Sequence, residues 1–192
     1  MTPPLIMGFD TSGAWCRAAL VRGDAVLAQA DVSMPKGQGE ALLPLLESLL
    51  TQANLRWDTL NAIGVGIGPG NFTGIRISVS AARGLALALR IPAIGVSRFE
   101  ALALDNSALP VVVPALRGQV WVQSPGHAPI LTDTPPQPAL GEGLTDPTHP
   151  LAVAIARLAA LRMHSPQPRP APLYLRDPDA APPSDRPPVM IE

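Results

Sequence analysis

Seven segments with the apolar periodicity of strands or helices follow one another in the first half of the chain, and their order limits the fold. In chain order they are strands at residues 5–9, 16–21 and 25–32, a helix at 40–54, a strand at 62–67, a helix at 73–89 and a strand at 93–96. The second and third strands flank Arg22-Gly23-Asp24, a sequence typical of a hairpin turn. The order βββαβαβ predicts a mixed sheet that is covered by helices. Pro44 fits the first helix only in its first turn, because proline lacks an amide donor.

The second half of the chain is built differently, since most of the 24 prolines lie after residue 107. It shows a hairpin at residues 111–115 and 119–122, an amphipathic helix at 151–164, and an extended tail at 165–192 with one strand at 173–176. Residues 123–150 have no clear period. We therefore predict two related lobes, residues 1–107 and a smaller, proline-rich lobe at 108–192.

Charge and composition exclude several kinds of protein. The chain has 14 Lys and Arg against 15 Asp and Glu, so it lacks the field that draws in nucleic acid or an anionic membrane by itself. Cys16 is the only cysteine and cannot form an internal disulfide, and the N-terminus lacks the pattern of a secretory signal. The most apolar stretch, residues 75–96, is interrupted by Arg76, Arg83 and Arg90. We expect a cytoplasmic protein without a membrane span.

A glycine-rich loop, GIGPGNFTGIR, begins at Gly66 between a strand and a helix. Asn71 is a suitable N-cap, and the backbone amides that follow it would point out of the new helix. Such a helix start attracts anions, and Arg76 could add charge, but the loop lacks the lysine of a Walker P-loop. Two interpretations stay open at this point. The loop contacts a phosphate, or its glycines only let two elements pack closely.

The helix after this loop has two faces that are poor in charge. One is an apolar stripe formed by Ile75, Val79, Ala82, Ala86 and Leu89. The other is a stripe of small residues formed by Gly74, Ser78, Ala81 and Ala88. The first stripe suffices for a core. The second could pack against the helix at 40–54, or it could form an intermolecular seam, because small side chains let helix axes come close.

The sequence shows no set of residues typical of catalysis or of a metal site. His127, His149 and His164 do not stand at the i, i+4 spacing of a helical metal pair. Asp10 could hold magnesium through water, but no motif supplies the second carboxylate that a phosphotransferase needs, and capping of its own turn is the simpler role. No G-x-S-x-G elbow surrounds a serine. We predict neither a catalytic residue nor a metal ligand in this chain.

Four ordered segments resemble the bacterial TsaB family, a subunit of tRNA threonylcarbamoyladenosine biosynthesis once called YeaZ. GIGPGNFTGIRISVSAARGLAL resembles the motif GPGSFTGLRIG...AKGLAL, and FDTSGAWCRAAL is similar to the opening IDTS...CSVAL. GVSRFEALA resembles GVSSLEALA, and PLYLR is similar to the near-terminal P-x-Y-L-R. The four segments span residues 5–176 in the family's order, which is far more specific than one glycine motif.

The resemblance implies a two-lobed α/β fold of the actin, hexokinase and Hsp70-ATPase type (ribonuclease H-like), with an abbreviated second lobe. In that superfamily the turn after the first strand handles phosphate. The resemblance therefore makes Asp10, Thr11 and Ser12 candidates for a phosphate or nucleotide site. They join the candidates from the glycine loop described above, which are Gly68, Pro69, Gly70, Phe72, Thr73 and Arg76. From the resemblance we expect that this chain binds no cofactor tightly. We expect ATP or ADP at the interface with a partner.

The resemblance also implies partners. Family members pair with a catalytic paralogue, TsaD, which a TsaE-like ATPase joins, and the assembly transfers threonylcarbamoyl to N6 of adenosine 37 in tRNA. We therefore expect a non-catalytic subunit that activates a TsaD-like protein, meets tRNA only through that complex, and forms a homodimer when alone. The pairing is attributed to the helices at 40–54 and 73–89. The expected interface residues are Leu42, Leu43, Leu46, Leu50, Gly74, Ser78 and Ala81.

The chain departs from the family pattern in two places. Gln38 stands where relatives have a histidine, and PALRGQVW at residues 114–121 replaces D-A-R-x-G-E-V-Y. The lost Asp, Arg and Glu weaken any nucleotide or ion site that relied on them and favour a docking role. The alternative is an autonomous ATPase or small-molecule kinase of the same fold.

Overall fold

The computed structural model describes residues 2–175, and the predicted order βββαβαβ is confirmed in its first half. In chain order the elements are β1 (Leu5–Asp10), β2 (Trp15–Arg22), β3 (Ala25–Ser33), α1 (Gln38–Gln52), β4 (Ala62–Gly66), α2 (Phe72–Leu89), β5 (Ala93–Val96), α3 (Arg98–Leu102), β6 (Val111–Pro114), β7 (Val120–Gln123), β8 (Ile130–Thr132) and α4 (Leu151–Arg162). Each predicted element of residues 5–96 lies within two residues of its observed bounds.

The first five strands form a mixed sheet in the order β3-β2-β1-β4-β5. The hairpin strands pair antiparallel with each other, and β2 pairs antiparallel with β1. β4 pairs parallel with both β1 and β5, as the two intervening helices require. The carboxyl ends of β1 and β4 therefore meet at one edge of the sheet, and the segments that follow them form the site described below.

The helices α1 and α2 cover one face of this sheet. The leucine stripe of α1 and the apolar stripe of α2 pack against alternating side chains of the central strands. The helix α1 begins at Gln38, so Pro44 lies in its second turn, and the prediction of a first-turn proline is wrong. The hydrogen bond that Pro44 cannot donate belongs to the carbonyl of Glu40, and both residues lie on the exposed side of α1.

The helix α4 covers the opposite face of the same sheet. A Cβ atom built on Gly64 of β4 would lie 2.8 Å from the backbone oxygen of Ile155, and one built on Gly8 of β1 would meet the backbone of Ala152. These glycines let the helix axis come close to the strands. The assignment of this helix to the second lobe is therefore wrong, because it packs on the first sheet.

The second sheet is small and antiparallel, in the order β6-β7-β8. Its third strand, β8, lies within residues 123–150, which have no clear period in the sequence. The predicted strand at 173–176 is wrong for residues 173–175, which have no regular structure. They lie against the first lobe instead, where the amide of Leu173 donates to the carbonyl of Ile67 (2.8 Å). Residue 176 and the rest of the predicted tail lie outside the described residues.

Candidate functional site

The turn after β1 is buried and bonded to itself. Asp10, Thr11 and Ser12 are each at most 1% exposed. Oδ1 of Asp10 accepts hydrogen bonds from the amide of Ser12 (3.0 Å), its hydroxyl (2.9 Å) and the indole nitrogen of Trp15 (2.9 Å). Asp10 therefore caps its own turn, which is the simpler of the two roles considered for it.

The glycine loop after β4 closes over this turn. The amide of Asn71 donates to the carbonyl of Ser12 (2.6 Å), and the hydroxyl of Thr11 donates to the carbonyl of Gly74 (2.7 Å). A Cβ atom on Gly70 or Gly74 would overlap backbone oxygens of the turn. The fold thus brings together the two segments proposed for phosphate, and the chain's own backbone makes the closest contacts between them.

The start of α2 presents an aromatic and cationic group to solvent. The side chain of Asn71 accepts from the amide of Gly74 (2.8 Å), which confirms the predicted N-cap. The Arg76 guanidinium lies 3.7 Å above the ring of Phe72 and donates to the Tyr174 hydroxyl (2.8 Å). The two rings stack with their centroids 5.0 Å apart. Arg76 is therefore held by two aromatic rings, and Thr73 beside them is exposed.

Behind the turn lies a buried arginine that the sequence analysis missed. Arg98 is 5% exposed, its amide donates to the carbonyl of Gly68 (2.7 Å), and its guanidinium reaches the carbonyl of Pro69 (3.4 Å). Within residues 2–175, Nε of Arg98 and Oδ2 of Asp10 are buried without a hydrogen-bond partner. The sequence could have identified Arg98, because GVSRFEALA has arginine where the family motif GVSSLEALA has serine.

Two titratable groups near the turn have shifted pKa values. Burial lowers the pKa of the Arg98 guanidinium, an effect that the charges of Asp10 and Glu142 oppose. Burial raises the pKa of the Cys16 thiol, and the Asp10 charge acts in the same direction. Cys16 is therefore a protonated, buried thiol and not an activated nucleophile.

The comparisons with known proteins agree with the motifs. The model of the family described as TsaD, tRNA N6-adenosine threonylcarbamoyltransferase, matches residues 35–171. The tRNA threonylcarbamoyladenosine biosynthesis protein TsaB of Bacillus subtilis is 35% identical over 120 residues, which are 60% of this chain and 52% of that protein. The TsaB protein of Escherichia coli is 36% identical over 98 residues, 51% of this chain and 42% of that protein.

The chain belongs to the TsaB (YeaZ) family. The matched region spans about half the length of these two relatives. A crystal structure of an uncharacterized Pseudomonas aeruginosa protein, described as similar to peptidase YeaZ, superposes with a TM-score of 0.73 at 22% identity. The superposition covers 90% of this chain and 100% of that chain. The two-lobed actin, hexokinase and Hsp70-ATPase-like fold predicted from the resemblance is confirmed.

Most residues expected at the partner interface of a TsaB family member are buried inside this chain. Leu42, Leu46 and Leu50 are at most 2% exposed and belong to the core under α1. Ser78 is fully buried and donates to the carbonyl of Gly66 (3.1 Å), and Gly74 packs against the turn after β1. The assignment of these five residues to a partner surface is wrong, because the sheet already occupies that side of both helices.

The outward side of α1 and α2 has a different set of residues. It contains Leu43 and the half-buried Ala81, which were predicted for the interface and stay predictions. It also contains Ala88 of the predicted small-residue stripe and three α2 residues that belonged to neither predicted stripe. We call the following set the α1–α2 outer face: Leu43, Ser80, Ala81, Gly84, Leu87 and Ala88. Leu43 is 48% exposed and Leu87 82% exposed, and a Cβ atom on Gly84 would meet nothing within 4 Å.

The composition of α2 is unusual for a helix so exposed. Its 18 residues have a mean hydropathy of 1.2, and 28% of them are buried. By length and composition alone this helix could cross a membrane. Core helices of soluble proteins pass the same test, so this result is weak evidence for a membrane span. The two arginines of α2, Arg76 and Arg83, lie on its exposed side. Besides the buried residues of α2, Ile77, Ala81, Leu85 and Leu89 are half-buried against the core, so the exposed apolar part of α2 is a strip that contains Leu87 and Ala88.

The positions at which the chain departs from its family have ordinary structural contacts. The side chain of Gln38 donates to the carbonyls of Met34 (2.9 Å) and Gly13 (3.3 Å), and so ties the start of α1 to the turn after β1. Leu116 is 64% exposed at the tip of the second hairpin. Within residues 2–175, no three His, Cys, Asp or Glu side chains cluster in a way that could hold a metal ion.

Proposed function

We propose that this chain is a non-catalytic subunit required for N6-threonylcarbamoylation of adenosine 37 in tRNA. It pairs with a TsaD-like paralogue and activates it. The names of the TsaB relatives and the match to the TsaD family model support this proposal. The structural observation that carries it is the α1–α2 outer face, a surface on which Leu43 and Leu87 are exposed.

The chemistry of this face suits a partner helix. Gly84 and Ala88 lie one turn apart on the exposed side of α2, so a second helix can approach the backbone closely there. Leu43 and Leu87 supply apolar area, and burial of a leucine side chain contributes about 2 kcal/mol. Without its partner, we expect the chain to self-associate through the same face, because a twofold contact covers it equally well.

Nucleotide, in this proposal, is bound in the assembly and not by this chain alone. The groups of Asp10, Thr11 and Ser12 are buried under the glycine loop, so a phosphate held by this chain would have to displace bonds such as that from Asn71 to Ser12. ATP or ADP would then bind at the interface with the paralogue, near the exposed residues Thr73 and Arg76. A TsaE-like ATPase joins the pair, tRNA reaches this chain only through the complex, and the complex acts in the cytoplasm.

A reconstitution tests the proposal. Purified TsaD-like paralogue, TsaE-like ATPase, threonylcarbamoyl adenylate and tRNA are combined with and without this chain, and modified adenosine is measured by mass spectrometry. We expect modification only when the chain is present, and no ATP turnover by the chain alone. Turnover by the purified chain that Asp10→Ala abolishes would support the alternative of an autonomous ATPase or kinase. Sedimentation of the chain with lipid vesicles would instead assign the apolar face of α2 to a membrane.

A further inference from the structure

A cavity of about 440 Å³ lies on the side of the sheet away from α1 and α2. Its walls are the hairpin strands β2 and β3, the helix α3, the segment 141–147 and the start of α4. This volume suits a small molecule, since ligand sites in proteins begin at about 300 Å³. The cavity belongs neither to the glycine loop nor to the α1–α2 outer face.

Two guanidinium groups line this cavity and flank one indole ring. Arg17 of β2 lies 3.9 Å from the centroid of the Trp15 ring, and Arg98 of α3 lies 5.1 Å from it. Arg98 is 5% exposed, and within residues 2–175 its Nε has no hydrogen-bond partner. A buried guanidinium with an unpaired donor is costly, so this side chain would gain from an anion beside it. Because Nε itself is buried, an anion in the cavity would meet the terminal nitrogens, one of which lies 3.7 Å from the Glu142 carboxylate.

The segment after β8 already supplies an anion to the two arginines, but it does so poorly. Oε1 of Glu142 lies 3.9 Å from a terminal nitrogen of Arg17 and 3.7 Å from one of Arg98. Both distances are too long for a hydrogen bond, and the Glu142 side chain is 53% exposed. Glu142 is therefore a weakly held carboxylate between two cations, and a ligand with better geometry can displace it.

The start of α4 adds a second source of positive potential. Pro150 is the N-cap of this 12-residue helix and provides no side-chain cap, and the first helical residues, Leu151 and Ala152, line the cavity. The uncapped amides and the helix dipole favour a negative group there. The two arginines and this helix start come from separate elements and converge on one cavity.

We propose that this cavity binds a small molecule through an oxyanion, a carboxylate or a phosphate, which takes the place of Glu142 between Arg17 and Arg98. The carboxylates of Asp31 and Asp146 line the same cavity, and Asp31 accepts from Nε of Arg17 (2.9 Å). They favour a ligand whose other end carries an ammonium or hydroxyl group and disfavour a polyanion such as a nucleoside triphosphate. Amino acids and hydroxy acids have this chemistry.

Calorimetric titration of the full chain tests the site with three kinds of probe: a pool of α-amino acids, a pool of 2-hydroxy acids, and inorganic phosphate. We expect saturable binding of at least one probe, and which probe binds identifies the source of the oxyanion. Glu142→Gln should tighten the binding about tenfold, because it removes the competing carboxylate, and Arg17→Gln should weaken it about tenfold. Arg98→Gln should abolish binding, and Arg17→Gln keeps the test valid if that buried substitution unfolds the chain.

Two results would overturn this inference. One is the absence of saturable binding by every probe, to the wild-type chain and to Glu142→Gln alike, at concentrations up to about 10 mM. The other is binding that Arg17→Gln and Glu142→Gln leave unchanged, which would locate the ligand elsewhere. Neither result depends on the paralogue or on tRNA modification. The binding experiment and the reconstitution therefore test this inference and the proposed function independently.

Discussion

Replacement of Gly74 by alanine tests whether α2 is seated directly on the turn after β1. A Cβ atom at this position would overlap the backbone oxygen of Thr11 and lie 3.0 Å from its carbonyl carbon. Backbone atoms in a buried turn cannot rotate away, so the first turn of α2 has to shift. That shift also strains the hydrogen bond from the Thr11 hydroxyl to the Gly74 carbonyl (2.7 Å).

The expected change in the free energy of unfolding combines two destabilising effects and one stabilising effect. Overpacking of a tight contact costs about 2 kcal/mol, and loss of one buried hydrogen bond costs about 1 kcal/mol. The higher helix propensity of alanine returns about 1 kcal/mol. We therefore expect Gly74→Ala to lower the free energy of unfolding by about 2 kcal/mol.

Urea denaturation followed by tryptophan fluorescence measures this change. The matched control is Gly84→Ala in the same helix, where a Cβ atom meets nothing within 4 Å and alanine should stabilise by up to about 1 kcal/mol. Equal stability of Gly74→Ala and the wild-type chain would refute the close seating of α2. Destabilisation of Gly84→Ala by the same amount would show that any alanine in this helix is harmful, and the contact with Thr11 would then explain nothing.

Three further predictions concern single interactions. Asn71→Ala removes the side-chain cap of α2 and should cost about 1 kcal/mol in the same denaturation assay, whereas Asn71→Ser should keep most of it. Gly8→Ala should cost at least about 2 kcal/mol and loosen α4, seen as faster amide exchange in α4 than in α1, because its Cβ would meet the backbone of Ala152. Burial raises the pKa of Glu100, but hydrogen bonds from Ser97 and Arg162 outweigh burial and leave it below its usual value of 4.5. Its contribution to stability is therefore complete above pH 4.5 and is lost as the pH falls below it, and Glu100→Gln should flatten the acid limb of a stability curve.

The order of elements in the first lobe could be predicted because each of them has a strong local signal. The hairpin turn at Arg22-Gly23-Asp24, the leucine stripe of α1 and the Asn71 cap are all set by residues close in sequence. The core stripe of α2, from Ile75 to Ala86, was likewise predictable from periodicity.

The orientation of the small residues of α2 could not be predicted in the same way. Successive residues of a helix turn by about 100°, so two neighbouring stripes of small side chains look alike in sequence. Only the contacts of Gly74 with the turn after β1 and of Ser78 with β4 show which stripe faces the sheet. The outward stripe is therefore that of Gly84 and Ala88.

The other differences between the predicted and the observed structure depend on contacts between residues far apart in the chain. The helix α4 follows the second sheet in sequence but packs on the first, because Gly8 and Gly64 leave room for its backbone. Arg98 is buried among three separate segments, which contribute Trp15, the glycine loop at residues 68–69, and Glu142. No period or spacing in the sequence reports either arrangement, since both join residues far apart in the chain.

The central claim is that the α1–α2 outer face binds a TsaD-like paralogue, and the affinity of that pair tests it most directly. Ala88→Arg adds a long, charged side chain to the face, and the matched control Ala108→Arg adds it to an exposed position after α3. With both variants shown to melt like the wild-type chain, we predict that Ala88→Arg raises the dissociation constant at least about tenfold, and that Ala108→Arg leaves it unchanged. Equal affinity of the wild-type chain and Ala88→Arg for the paralogue would contradict the claim.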